Sequence, residues 1–307
     1  MLIYQRGKNE YKGNLHAHTT ASDGAYTPEE VIRAYKDAGY DFLAITDHRK
    51  LTAARDEDLL LIPGMELDFT LSDSEVIHLL AIGISDSYQM IYQWGMMAQE
   101  AVRFLKEKGA LVFLAHPHWS LNRVDTVKSL GGIDGVEIFN SISRPPYNAQ
   151  RADATQILDL LACDGHLYPT LATDDSHFYD AELFGGFIYA TADSLDEKGI
   201  LDALREGRYY ASQGPRFERV EVVGDRVLVT CSAVSTIIFH SNLPWNNNRC
   251  TRGEGITKGE YLLNRRNGER FVRVVIEDKD GKKAWMNPFA VQNHVHRRIF
   301  HNELQIL

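Results

Sequence analysis

Short apolar runs alternate with amphipathic stretches of helical period over roughly the first 210 residues. The apolar runs have the length and character of buried parallel strands, and they predict strands at residues 41–46, 59–62, 76–81, 110–115, 135–139 and 168–172. Helices are predicted at residues 28–38, 88–108, 149–163 and 195–206. The first helix has the clearest ends, because Thr27 and Glu30 form a capping box and Gly39 supplies a stop. This order predicts repeated βα units around a parallel sheet.

The pattern changes after Gly214-Pro215, where valines alternate with polar residues on both sides of a Gly224-Asp225 turn. Such alternation around turn residues is typical of antiparallel strands. We therefore predict an α/β domain at residues 1–213, a small β-sandwich-like domain at residues 214–291 and a C-terminal tail at residues 292–307.

The amino-acid composition and net charge limit the binding partners that the protein is expected to have. The chain has 307 residues, of which 44% are apolar, and a formal net charge of -9. An acidic protein gains little from nucleic acid or an anionic membrane surface, so neither is expected as the main partner. The three cysteines lie far apart in the sequence, and the N-terminus lacks the apolar stretch of a signal peptide. We expect a cytoplasmic protein, and a homo-oligomer is compatible with this sequence.

Several apolar runs stop abruptly at imidazole and carboxylate groups. His16-Ala17-His18, Asp47-His48 and Asp175-Ser176-His177 all occupy such positions. Any one of these histidines alone would be better explained as a hydrogen-bonding group at a strand end. Their recurrence predicts a multinuclear metal site, since zinc, iron and manganese prefer these ligands. In barrels of βα units the active site lies at the C-terminal strand ends, where these groups fall.

His16 and His18 are separated by one residue, so their side chains point to the same side of an extended chain. Four further residues extend this set of candidate ligands. Asp23 follows in the next loop, and Glu66 comes after the third predicted strand, where a carboxylate could bridge two ions. His78 lies inside an apolar run, and His116 ends another.

The order of these motifs resembles the PHP (polymerase and histidinol phosphatase) family of metal-dependent phosphoesterases. The matching pieces extend over about residues 13–178. The resemblance implies a distorted (β/α)7 barrel, here followed by a small antiparallel β domain, and up to three divalent metals, zinc, manganese or iron. It implies one metal held by His16, His18, Glu66 and Asp175, a second that shares Glu66 and adds His78 and His116, and a third held by Asp23, His48 and His177. A weaker resemblance, carried by Trp285-Met286-Asn287-Pro288 and the Gly214-Pro215 region, points to a carbaryl-hydrolase-like branch.

Residues beside these motifs have predicted supporting roles. His118 is a candidate for protonating the leaving group, and Trp119 is a candidate for substrate contact. Arg144 and, more weakly, Arg123 are candidates for binding a phosphate through a guanidinium group. Asp47, Asp174 and Glu137 are more simply explained as groups that orient an imidazole or cap a loop.

These interpretations predict an enzyme that cleaves a small phosphorylated substrate, a phosphomonoester or phosphodiester, with a metal-bound hydroxide. One alternative is a carbamate or ester hydrolase that uses the same metals. A fold-level alternative is an amidohydrolase barrel, which also begins with His-x-His, although the Asp47-His48 pair favours the PHP interpretation. An alternative of another class is a non-catalytic, metal-stabilised scaffold that binds a partner.

Overall fold

The computed structural model describes residues 1–72, 74–85 and 96–291. Helices within this part of the chain are α1 (Pro28–Asp37), α2 (Ala98–Glu107), α3 (Val124–Ser129), α4 (Thr155–Cys163) and α5 (Glu197–Arg205). No helix in these ranges is both long and apolar enough to span a membrane.

Helix α1 begins and ends as its sequence predicts. The Thr27 side chain accepts a hydrogen bond from the Glu30 amide, the Glu30 carboxylate accepts one from the Thr27 amide, and Pro28 occupies the first turn. Gly39 follows with φ +71°, a conformation that glycine adopts without strain. Helix α5 also lies where it is predicted.

The other helices differ from the prediction. In the described residues α2 begins only at Ala98, because Met97 is extended and acts as its N-cap; residues 88–95 of the predicted helix lie outside the described ranges. Helix α4 begins at Thr155 instead of Ala149, because residues 151–154 hydrogen-bond to the backbone of residues 138–143. The short α3 was not predicted.

In the part of the chain that the structure describes, eleven strands precede residue 213, and two sheets contain them. They are β1 (Leu2–Gln5), β2 (Glu10–Asn14), β3 (Phe42–Leu43), β4 (Leu60–Leu61), β5 (Gly64–Ser72), β6 (Glu75–Ile82), β7 (Leu111–Leu114), β8 (Gly135–Asn140), β9 (Thr170–Thr173), β10 (Phe187–Thr191) and β11 (Tyr209–Ser212). Pairing is parallel in β2–β3–β4 and in β7–β8–β9, which agrees with the predicted parallel sheet, although β2 was not among the predicted strands. It is antiparallel on both sides of β6, where the prediction of a parallel strand was wrong.

The β5–β6 hairpin positions two residues of the predicted metal site. Glu66 lies opposite Leu80 and Asp68 lies opposite His78, so Glu66 and His78 are diagonal neighbours on one face of the hairpin. His78 therefore reaches the site from the middle of a strand, whereas most other residues of the set follow strand ends.

The C-terminal region is antiparallel β structure, as predicted. Its strands are β12 (Phe217–Val223), β13 (Arg226–Ser241), β14 (Cys250–Leu262), β15 (Phe271–Glu277), β16 (Lys283–Trp285) and β17 (Phe289–Ala290). Strand β16 pairs with β11, so these strands continue the sheet that contains β2, β3 and β4. The division into domains near residue 214 stays a prediction, and the predicted tail at residues 292–307 lies outside the described residues.

The Trp285-Met286-Asn287 segment joins the C-terminal strands to the first part of the chain. The Trp285 ring stacks on Phe139 of β8 with 5.7 Å between centroids. The side-chain amide of Asn287 accepts a hydrogen bond from the Thr170 backbone amide at 2.8 Å and donates one to the Tyr209 carbonyl at 2.8 Å. These contacts give this segment a structural role at the junction.

Candidate metal centre

His16 and His18 lie in the segment that follows β2, and backbone pairing fixes their position. The Asp175 amide donates to the His16 carbonyl, and the His18 amide donates to the Ser176 carbonyl, each at 3.0 Å. The segments after β2 and β9 therefore run side by side in parallel. Their pairing brings the side chains of His16, His18 and Asp175 to one buried point.

Four side chains converge there, and their facing atoms lie within 4.8 Å of one another: His16, His18, Glu66 and Asp175. Asp175 Oδ1 is 3.1 Å from Nε2 of both His16 and His18, and Glu66 Oε2 is 3.3 Å and 3.2 Å from these same atoms. Nε2 of both histidines and Oδ1 of Asp175 are buried without a hydrogen-bond partner. Buried polar atoms are rarely left unpaired. This convergence fits a cation with imidazole and carboxylate ligands.

Glu66 faces two groups of histidines. Its Oε2 points toward His16 and His18, whereas its Oε1 lies 2.8 Å from His78 Nδ1 and 3.2 Å from His116 Nε2. A carboxylate with its two oxygens turned to different imidazole groups has the arrangement that a bridging ligand requires.

Asp23 occupies the entrance of the cluster. Its Oδ1 lies 3.5 Å from His177 Nε2 and from His18 Nδ1, and its Oδ2 lies 3.7 Å from His48 Nε2. The following Gly24 packs against the chain at His18, where an added Cβ would lie 2.5 Å from the His18 carbonyl oxygen. Because Gly24 has no Cβ atom, the Asp23 loop can lie directly against the histidines.

The structure thus brings together every residue of the predicted ligand set. His48 is closer to the first two groups than expected, because its Nδ1 lies 3.3 Å from Glu66 Oε2 and its ligand atoms also group with Glu66 and His78. The ligand roles themselves stay predictions.

Hydrogen bonds from neighbouring polar residues orient these side chains. Glu137 Oε1 accepts from His16 Nδ1 at 2.8 Å, and Ser120 Oγ lies 2.9 Å from His116 Nδ1. The buried Asn140 amide donates to Glu137 Oε2 at 3.0 Å and to Asp175 Oδ2 at 3.1 Å. Partners of this kind fix which ring nitrogen is free to act as a ligand.

Asp47 and Asp174 cap loops, as their sequence positions suggested. Asp47 accepts hydrogen bonds from the Thr19 amide and hydroxyl at 2.7 and 2.8 Å. Asp174 accepts from the amides of Gly185 and Gly186 at 2.8 and 2.9 Å, and burial raises its pKa to about 6 despite these bonds.

The cluster is strongly coupled electrostatically. Burial alone would raise the pKa values of Glu66 and Asp175, but the facing imidazoles, His16 foremost, hold both well below their usual range. Burial would lower the pKa of His177, yet Asp23 and Asp175 raise it to about 9. The two buried carboxylates are therefore held in their ionised form, which is the form that binds cations.

The cluster forms the floor of a cavity of about 290 Å³. Trp119 and the stacked pair Tyr147 and Phe178, whose centroids are 4.6 Å apart, contribute aromatic walls. The Trp119 indole donates to Asn148 Oδ1 at 2.9 Å, which fixes its ring edge-on to His116. Within the described part of the chain no lysine or arginine lines this cavity.

Three predicted residues lie elsewhere. His118 and Arg123 line a neighbouring groove of about 310 Å³, where the Asp153 carbonyl lies 2.7 Å from His118 Nδ1. The Arg144 guanidinium donates to the Ala181 carbonyl at 3.2 Å and does not line the metal-type cavity. Their catalytic and substrate-binding roles stay predictions.

Sequence reasoning did not single out Tyr147, Asn148 and Phe178 as wall residues. Phe178 directly follows His177, and Tyr147 lies in the loop after β8, so their nearness to strand ends was the available signal. That signal identifies loops at the mouth of the site, but it does not identify which of their side chains turn inward.

A buried cluster of imidazoles and carboxylates at strand ends of an α/β scaffold defines a candidate polynuclear metal-binding protein. Residues 14–116 match the model of the PHP domain, so the resemblance predicted from the motifs is confirmed for this part of the chain. The carbaryl-hydrolase-like branch stays a prediction.

Individual relatives are similar to parts of this chain. The 5'-3' exoribonuclease Rnm of Escherichia coli (strain K12) is 35% identical over 99 residues, which cover 29% of this chain and 33% of the relative. The match therefore spans only about a third of that relative's length. An uncharacterized protein of Methanocaldococcus jannaschii is 26% identical over 153 residues, which cover 43% of this chain and 84% of that protein.

One solved structure resembles nearly the whole chain. It is a two-domain protein from Bacteroides vulgatus that contains a predicted PHP-like metal-dependent phosphoesterase; its TM-score is 0.53 at 16% identity, and the alignment covers 95% of this chain and 97% of that one. At this identity the likeness establishes the fold, a PHP-type α/β scaffold followed by C-terminal β structure.

Proposed function

We propose that the protein is a metal-dependent phosphoesterase that hydrolyses a small phosphomonoester or phosphodiester in the cavity above the metal-type cluster. One observation carries the proposal: Nε2 of His16 and Nε2 of His18 each lie 3.1 Å from Oδ1 of Asp175, and all three atoms are buried without hydrogen-bond partners. The PHP domain match supports it.

The proposed ligand groups follow the geometry. His16, His18, Glu66 and Asp175 would hold one ion, Glu66 with His78 and His116 a second, and Asp23, His48 and His177 a third, the metals being zinc, manganese or iron. When bound, such ions supply positive charge to phosphate oxygens and lower the pKa of water enough to give a nucleophile near neutral pH.

Other residues of the chain prepare the site. Glu137 holds His16 Nδ1, so that Nε2 carries the free lone pair, and Asn140 fixes the carboxylates of Glu137 and Asp175 relative to each other. Trp119, Tyr147 and Phe178 give the cavity flat apolar walls, which exclude water and suit a planar leaving group.

The second candidate is a carbamate or ester hydrolase. The absence of lysine and arginine from the cavity lining, as far as the structure describes it, favours this candidate, because a neutral carbonyl substrate needs no guanidinium to balance its charge. The same nucleophile can attack a carbonyl carbon.

The test is a parallel assay of protein loaded with manganese, iron or zinc against nitrophenyl phosphates, nucleoside phosphates, a short RNA and aryl carbamates. We expect phosphate ester hydrolysis that disappears, with the metal content, in the His16→Ala/His18→Ala variant. His166→Ala is the matched control, since His166 stacks on Tyr168 outside the cluster. Full turnover by metal-free protein would contradict the proposal, and hydrolysis of carbamates alone would select the second candidate.

A further inference from the structure

Glu182 is buried, and its carboxylate accepts hydrogen bonds from four consecutive backbone amides. Its Oε1 accepts hydrogen bonds from the amides of His177, Phe178 and Tyr179 at 3.2, 2.6 and 2.6 Å. Its Oε2 accepts one from the Asp180 amide at 3.2 Å. The buried Glu182 side chain therefore fills the centre of the loop between β9 and β10 and satisfies amides that are partly or fully buried there.

This loop carries two residues that face the cavity. His177 Nδ1 donates to the Asp175 carbonyl at 2.8 Å, which leaves Nε2 directed at Asp23. Phe178 stacks on Tyr147 to form one wall. One change in the loop backbone would therefore move a proposed metal ligand and a substrate wall together.

The flanks of the loop are held independently of Glu182. The Tyr179 hydroxyl donates to the His18 carbonyl, and its ring stacks on Tyr26 with 4.4 Å between centroids. The Ala25 amide donates to the His177 carbonyl at 2.7 Å. Loss of the carboxylate should therefore change the path of residues 177–180 without releasing the whole loop.

We propose that Glu182 is a positioning residue that sets the orientation of His177 toward Asp23 and of Phe178 toward the cavity. It acts mainly through the loop backbone, interacts also with the Tyr147 side chain of the cavity wall, and touches none of the proposed ligand atoms. The role in substrate binding rests on the proposed function, whereas the effect on metal affinity rests only on the proposed ligand role of His177 and does not require hydrolysis.

The test compares Glu182→Gln with Glu269→Gln. Glutamine keeps the size of the side chain but places an NH₂ donor opposite an amide donor, so it cannot accept all four bonds. Glu269 is a matched control: it is buried, and it accepts from the Asn264 amide and the Tyr261 hydroxyl in the C-terminal strands. The measurements are the melting temperature and titrations of apo protein with Mn²⁺ and Zn²⁺.

We expect both variants to melt at a lower temperature than the wild-type protein. Only Glu182→Gln should raise the dissociation constant of the most weakly bound metal ion, by about tenfold. Its KM for a nitrophenyl phosphate should rise more than its kcat falls. Glu182→Asp, which keeps the charge, should recover part of the metal affinity.

Wild-type metal dissociation constants in a folded Glu182→Gln protein would overturn the proposal. Failure of both Glu182 variants to fold would also overturn it, because the residue would then support the fold as a whole. If the wild-type protein hydrolyses none of the substrates, the proposed function fails, but the metal titrations still decide the role of Glu182.

Discussion

Glu137 connects two of the proposed ligand groups through His16 and His116. Its Oε1 accepts from His16 Nδ1 at 2.8 Å, and its Oε2 accepts from the backbone amide of His116 at 2.8 Å. Thr173 donates to the same carboxylate at 2.8 Å. A single buried side chain thus fixes the ring of one proposed ligand and the main chain of another.

Replacement of Glu137 by Gln should weaken metal binding by about 10- to 100-fold, because an amide cannot serve as the acceptor for all these donors at once. Equilibrium titration with Mn²⁺ or Zn²⁺ measures the change. Glu75→Gln is a suitable control, since Glu75 is a buried carboxylate that accepts from the Arg123 amide at 3.1 Å. Equal metal affinities in the two variants would show that Glu137 has no part in preparing the ligands.

Structural features that depend on residues close together in the sequence could be predicted. The capping box of Thr27 and Glu30 defines α1, and imidazole and carboxylate motifs recur at strand ends, as in His16-Ala17-His18 and Asp175-Ser176-His177, so their convergence at one edge was expected. The local pattern contains both the strand and the residue at its end.

Features that depend on contacts distant in sequence could not be predicted. An apolar run such as residues 76–81 has the same composition in a parallel or an antiparallel strand, so the direction of β6 was missed. The start of α4 was misplaced because residues 151–154 pair with the backbone around β8. The Tyr147–Phe178 wall depends on how the loops after two different strands pack against each other. The pattern of apolar and polar residues along the sequence does not indicate such packing.

Removal of metal should destabilise the folded protein. The buried Nε2 atoms of His16 and His18 and the carboxylates of Glu66 and Asp175 would lose the common partner that the proposed ion supplies. A ligand that binds only the folded state at 100 times its dissociation constant adds about 2.7 kcal/mol of stability. We therefore expect a chelator to lower the melting temperature by several degrees.

The melting temperature should recover when Mn²⁺ or Zn²⁺ is added back. The His16→Ala/His18→Ala variant provides the control, because its melting temperature should no longer respond to chelator or metal. A wild-type protein that melts at the same temperature with and without chelator would argue against bound metal in the cluster.

Trp119 should determine the affinity for flat leaving groups. Its ring forms a wall of the cavity, with its centroid 4.9 Å from that of His116. Trp119→Ala should raise KM for a nitrophenyl phosphate about fivefold or more, since loss of an aromatic contact costs about 1 kcal/mol. The KM for glycerol phosphate should change less.

Trp245→Ala is the matched tryptophan control for this measurement, because Trp245 is 81% exposed and does not line the cavity. Equal increases in KM for the aromatic and the aliphatic substrate would assign Trp119 to general support of the site instead of recognition of the leaving group.

Asp159 of α4 and Arg273 of β15 form an ion pair between a helix of the first part of the chain and the C-terminal strands. Asp159 Oδ1 accepts from Arg273 Nη2 at 2.7 Å, and Asp159 Oδ2 lies 3.1 Å from His240 Nδ1. Burial would raise the pKa of Asp159, but His240 and Arg273 lower it below its ordinary value of 3.8. The Arg273 side chain is almost completely buried.

Asp159→Asn should therefore lower the free energy of unfolding by about 2 kcal/mol at neutral pH, because it leaves a buried guanidinium without its counter-charge. A carboxyl whose folded pKa is depressed contributes stability above its unfolded pKa and loses it as the pH falls through the folded value. Urea unfolding should thus show a constant difference between wild type and variant near neutral pH, which shrinks below about pH 4. The control is Asp125→Asn, since the Asp125 side chain is 95% exposed and should change stability little at either pH. A difference for Asp159→Asn that stays equally large in acid would show that charge on Asp159 is not its source.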